Sequence, residues 1–73
     1  MIEAKNNIKS VLEQQGRSQV WLSKAIDKSV NTVNAYVQNR TQPSVEVLYR
    51  IAELLGVSIK DLLIENKEQN EDN

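Results

Sequence analysis

Apolar residues recur along this chain at intervals of three and four. Ile8, Val11 and Leu12 form one such group. Leu22 and Ile26 follow, then Val33, Tyr36 and Val37. Val45, Leu48, Ile51, Ala52 and Leu55 come next, and Ile59, Leu62 and Leu63 are the last. That spacing is one buried stripe on a helix, repeated in short segments, with no sustained two-residue alternation of the strand type. The polar residues between the stripes mark the helix ends. Ser18, Ser29 and Ser44 stand where a hydroxyl can accept a free N–H of the first turn. Ser58 with Asp61 three residues later reads as a capping box. Gly16, Asn39 and Gly56 stand where a helix ends in left-handed backbone. The pattern predicts five short helices: 3–15, 19–26, 30–38, one from Ser44 to Gly56, and one after Ser58. Asp27 and Lys28 alone link the second to the third. A link that tight forces a large crossing angle, the helix-turn-helix arrangement; Asp tolerates the left-handed region at modest cost.

Composition narrows the chemistry. The 73 residues are enough for one domain, here placed at 1–64, followed by a tail over 65–73 expected to be disordered. There is no cysteine and no histidine, so disulfides, thiolate metal sites and the commonest catalytic base and metal ligand are all missing. No Gly-rich phosphate loop and no carboxylate pair in a plausible cleft is visible, and an enzyme is not expected. Nor are a metal, a cofactor or a small-molecule ligand. No apolar run approaches a membrane span, so the expected compartment is the cytoplasm. The net charge of −1 hides an asymmetry. Residues 65–73 carry four acids against Lys67. The stretch from Arg17 to Arg40 carries four cations against Asp27. A basic middle points weakly to a polyanionic partner; the plainer alternative is a solvated surface.

The third segment carries the sharper signal. At about 100° per residue, Val33, Tyr36 and Val37 share one side, and Asn31, Asn34, Ala35 and Gln38 share the other. The second side is uncharged and rich in amides. A carboxamide offers a donor and an acceptor together, the complement of an adenine edge in the major groove. Ala35 is short enough to let the helix axis approach a surface. An ordinary polar helix face that happens to lack charge is the competing reading. The flanks favour the first. Gln19 opens the second helix and Ser29 the third, where free N–H groups can seat phosphates. Arg40, Thr41 and Gln42 follow the third helix in a loop able to grip a DNA backbone.

At this point the chain resembles the phage-repressor, or Xre/Cro-type, helix-turn-helix family over roughly residues 6–64. The resemblance rests on Gln19-Val20-Trp21-Leu22-Ser23, on Ser29-Val30-Asn31-Thr32-Val33-Asn34, and on Asn39-Arg40-Thr41-Gln42-Pro43-Ser44. Its last block runs from Ile51-Ala52-Glu53-Leu54-Leu55-Gly56 through Val57-Ser58-Ile59-Lys60-Asp61-Leu62-Leu63. It implies an all-α fold, a compact five-helix, lambda-repressor-like domain that binds double-stranded operator DNA, usually as a homodimer on a near-palindrome. Carried over by position, Val30, Asn31, Asn34 and Ala35 would meet base edges. Gln19, Lys28, Ser29, Thr32, Gln38, Arg40 and Thr41 would meet the DNA backbone. Ile59, Leu62 and Ile64 are candidates for a dimer contact, since this end is more apolar than one small helix needs.

The departures from the family pattern carry information. Many members have Gly where Asp27 stands and an apolar residue where Lys28 stands. Many place a basic residue at or beside Val30, so affinity here leans less on Coulomb attraction. Many pair an Arg at the position of Leu12 with a Glu at that of Val37. Both are apolar here, which implies a buried ion pair replaced by a hydrophobic contact. Trp21 is expected to pack over the domain edge and Tyr36 to face the core, with Tyr49 and Arg50 on the outer face of the fourth helix. A competing function is a protein-interaction module of the antitoxin or controller type, which would use the same bundle to bind protein.

Overall fold

The computed structural model describes residues 4–65. The chain begins with strand β1 (Ala4–Asn6) and continues through α1 (Ile8–Gln15), α2 (Gln19–Ala25), α3 (Val30–Val37) and α4 (Val45–Leu55). A single 3₁₀ turn (Ile59–Leu62) then leads into strand β2 (Leu63–Glu65). β1 and β2 pair antiparallel, with Ala4 opposite Glu65 and Asn6 opposite Leu63.

The serine caps form as the residue types predict. The Ser18 Oγ accepts the Trp21 N–H at 2.9 Å, the Ser29 Oγ that of Thr32 at 3.1 Å, and the Ser44 Oγ that of Val47 at 3.2 Å. The four α-helices share one kind of ending. In each, a left-handed residue (Gly16, Asp27, Asn39 or Gly56, φ between 60 and 67°) follows the last turn. The next N–H then reaches back five residues. Arg17 donates to the Leu12 carbonyl, Lys28 to Ser23, Arg40 to Ala35 and Val57 to Ala52, at 2.9 to 3.0 Å. This is the Schellman motif, which satisfies carbonyls that a bare helix end leaves open.

Two expectations need correction. The first helix does not begin at residue 3. Asn6 and Asn7 are poor helix formers, and the Asn6 Oδ1 accepts the Ile8 N–H at 3.1 Å, so α1 opens only there. The residues before it pair with β2 instead. The fifth helix is also absent as an α-helix. Its box closes, with the Asp61 carboxylate accepting from the Ser58 N–H at 3.2 Å. After one 3₁₀ turn, however, Leu63 is extended (φ −107°, ψ 137°) and enters the ladder. Over the described residues the fold is therefore mostly helical, with four α-helices, a 3₁₀ turn and a two-stranded ribbon, rather than the five helices expected.

The core takes one stripe from every helix: Ile8, Val11, Leu12, Leu22, Ile26, Val33, Tyr36, Val37, Leu48, Ile51, Ala52, Leu55 and Leu62. Leu12 and Val37 are both buried in it, as the hydrophobic replacement of an ion pair requires. Leu62 is fully buried (0% exposed) and is therefore withdrawn as a dimer candidate: its side chain is spent on this core. Burying it stabilises the fold by about 2–3 kcal/mol. Ile59 is half-buried and packs on the same cluster. The tail expected over 65–73 does not start at its first residue, because Glu65 is the last residue of β2 and pairs with Ala4; the side chain of Ile64 and residues 66–73 lie outside the described residues. Among the described residues, no helix is long and apolar enough to cross a membrane.

Candidate nucleic-acid interface

The tight link between α2 and α3 fixes the one helix against the other. Leu22, Ile26 and Val33 are buried at their junction. Ser23 is buried as well, and its Oγ donates to the Val20 carbonyl at 2.8 Å, so this polar group costs nothing unsatisfied. Asp27 takes up the left-handed turn, and Lys28 is exposed beside it.

With Val33, Tyr36 and Val37 held inside, α3 turns its other side outward. Val30 is 40% exposed and Asn31 is exposed. Thr32, Asn34 and Ala35 are half-buried, and Gln38 is exposed at the far end. The Asn31 carboxamide makes no hydrogen bond among the described residues. Asn34 differs. Its Nδ2 donates to the Gln19 Oε1 at 3.1 Å, and its Oδ1 accepts from the Arg40 Nη2 at 3.3 Å. Three residues singled out in the sequence, from three different segments, are thus brought together. Ser29 and Thr32 are joined at the opening turn, where the Ser29 Oγ donates to the Thr32 Oγ1 at 3.0 Å. Arg40 and Thr41 are exposed just past α3, with both backbone N–H groups directed to the Ala35 carbonyl.

Sequence reasoning missed what holds that loop. Asn6 is nearly fully buried (3% exposed), and its partners at the end of α3 and in the loop lie 30 residues or more away in sequence. Its Nδ2 donates to the Tyr36 carbonyl at 2.7 Å and to the Gln42 Oε1 at 2.8 Å. Its backbone N–H donates to the Asn39 Oδ1 at 2.8 Å, and the Asn39 Nδ2 donates back to the Asn6 carbonyl at 3.3 Å. The Gln42 Nε2 donates to the same Asn39 Oδ1 at 2.9 Å. Three carboxamides therefore lock the end of α3 and the loop at 39–42 to strand β1. The signal available beforehand was the Asn6-Asn7 pair, residues that favour caps and turns over helix interiors.

Lys28, just before α3, and Arg40, just after it, are exposed cations, and Asp27 beside Lys28 is exposed as well. Arg17 lies 4.3 Å above the Trp21 ring, a cation–π contact. Trp21 itself is half-buried against the core, in keeping with a packing role. Among the described residues there is no cluster of acidic side chains able to hold a metal ion. Two open clefts among the described residues are lined by residues of α4, the α2–α3 turn and the segment after α4, and neither includes a residue of α3.

The chain is similar to the crystal structure of a proposed DNA-binding protein from Bacteroides fragilis. The two share 37% identity at a TM-score of 0.83, over 85% of this chain and all of the other. No curated protein matches the chain. The helix-turn-helix family model matches residues 8–62, a span from the first residue of α1 to the last of the 3₁₀ turn. The chain belongs to the Xre/Cro-like helix-turn-helix family.

Proposed function

We propose that this protein is a sequence-specific DNA-binding regulator that lays α3 in the major groove. The observation that carries the reading is the division of α3. Val33 and Val37 are sealed in the core, while Asn31 stands exposed on the outward side with both halves of its carboxamide unused. A free carboxamide on an uncharged helix face offers the donor and acceptor pair that complements an adenine edge in the major groove. Val30, Asn34 and Ala35 line the same face. Lys28, Ser29, Thr32, Gln19, Gln38, Arg40 and Thr41 border it and are assigned to the DNA backbone, whose contacts set the register of the helix. The helix-turn-helix family and the DNA-binding assignment of the Bacteroides fragilis neighbour support the same reading. A homodimer would set two copies of α3 about 34 Å apart and read a near-palindrome.

The test is selection from random-sequence duplexes, followed by gel shifts with the wild type and Asn31→Ala. The wild type should select one motif. The variant should lose about 1–3 kcal/mol at one base position per half-site. An unchanged preference in the variant removes Asn31 from the base-reading role. Capture of a protein with no DNA selected would support the interaction-module alternative.

A further inference from the structure

We infer that Asn34 is a positioning residue: it fixes which end of the Gln19 carboxamide points outward and restrains the Arg40 guanidinium, so that both borders of the DNA face offer donors. This rests on the DNA-binding reading above and deepens it.

The argument starts from what a carboxamide can offer. It has an acceptor oxygen at one end and an NH₂ donor at the other. Asn34 uses both, its Nδ2 on the Gln19 Oε1 and its Oδ1 on the Arg40 Nη2. Gln19 is the first residue of α2, and Arg40 lies beyond the end of α3. One half-buried side chain therefore spans two helices and a loop. Because the Gln19 oxygen faces Asn34, its Nε2 lies at the opposite end of a planar group and makes no hydrogen bond among the described residues. It is offered as a donor. A phosphate accepts and does not donate, so this orientation suits it. The reversed amide would set oxygen against oxygen. Arg40 spends part of its guanidinium on Asn34 and keeps further N–H groups for a second acceptor. Restraining so long a side chain in advance lowers the rotamer entropy lost on binding.

Asn31 provides the contrast. It sits on the same helix face, exposed and unbonded, and is free to pair with a base. Asn34 has already committed one N–H and one oxygen lone pair to Gln19 and Arg40, so its approach to a base edge is constrained by both contacts. The two asparagines thus divide the work, one reading and one aligning.

The free protein tests the alignment without DNA. In the ¹⁵N-labelled wild type, the Gln19 side-chain NH₂ should give an ordered, dispersed pair of signals. In Asn34→Ala they should collapse to the averaged position of a mobile glutamine, with the melting temperature nearly unchanged. Asn34→Asp, which offers only acceptors, should keep Gln19 ordered but with its Nε2 turned inward. Unaltered Gln19 signals in Asn34→Ala would overturn the inference whatever the DNA results show. With selected DNA, Asn34→Ala should bind about tenfold more weakly, the loss of one or two hydrogen-bonded contacts, and should keep the wild-type motif. Combined with Gln19→Ala it should lose little more, and Asn34→Asp should bind more weakly than Asn34→Ala. Loss of preference at one base, or losses that multiply with those of Gln19→Ala, would make Asn34 a reader and overturn its aligning role. If the wild type selects no DNA while the Gln19 signals behave as described, the functional reading fails and the alignment stands.

Discussion

Asp27 and Asn39 hold the same backbone conformation, φ 60°, at the same position after their helices, yet replacing each by glycine should have opposite effects. Left-handed backbone is strained for residues with a Cβ, less for Asp and Asn than for others. After the extra freedom glycine gains in the unfolded chain, relief of that strain stabilises by about 0.5 kcal/mol. At Asp27 there is nothing to lose, because the side chain is exposed and makes no hydrogen bond or ion pair among the described residues. Its charge also sits at the negative end of the α2 dipole, an unfavourable placement worth about 0.3 kcal/mol. Asp27→Gly should therefore stabilise by about 0.5–1 kcal/mol, raising Tm by about 3–6 °C in a domain of this size. Asn39→Gly gains the same backbone relief but loses three hydrogen bonds, two of them at 2.8 and 2.9 Å to Asn6 and Gln42. At about 1 kcal/mol each, the balance is a loss of about 2 kcal/mol, or about 8–16 °C in Tm. Thermal and urea melts followed by circular dichroism at 222 nm would measure both. An Asn39→Gly protein as stable as the wild type would refute the claim that its carboxamide ties β1 to the end of α3. A destabilised Asp27→Gly would show that Asp27 has a partner.

Other consequences can be checked with the same protein. Leu12→Ala should cost about 2–5 kcal/mol, since it opens a cavity in the core that Val37 also fills; a loss below 1 kcal/mol in urea melts would place Leu12 outside that core. Arg40→Ala should weaken binding to all duplexes alike and reduce the slope of log K against log salt by about 1, as expected for one phosphate contact. With so few cations bordering α3, the wild-type slope itself should be shallow. A steep slope in fluorescence-anisotropy titrations would mean that the contact surface extends to cations beyond this face.

Where a local residue type decides a local structure, the sequence was readable. The serine caps, the glycine and asparagine stops and the inward faces of α1 to α4 all follow from side chains acting within a turn or two of themselves. Asp27 was readable as a left-handed residue for the same reason. The ribbon was not. Its strands are three residues each, too short to show alternation, and their pairing joins residues about 60 positions apart. Asn6 was hidden in a stretch that reads as helix, because its role depends on Tyr36, Asn39 and Gln42 arriving beside it. The outward face of α3 could be drawn from periodicity alone. That Asn34 is engaged while Asn31 is free could not, since it depends on where α2 and the 39–42 loop sit. Leu62 was misjudged because surplus apolar residues at one end look alike until the core is filled.

The ribbon has a practical corollary for anyone extending this polypeptide. With Ala4 opposite Glu65, whatever is spliced upstream and whatever is spliced downstream emerge from a shared anchor point. Asn6, two residues inward from that point, grips the trailing edge of α3. A bulky passenger grafted close to either strand would crowd that trailing edge, whereas a flexible spacer at the graft would spare it.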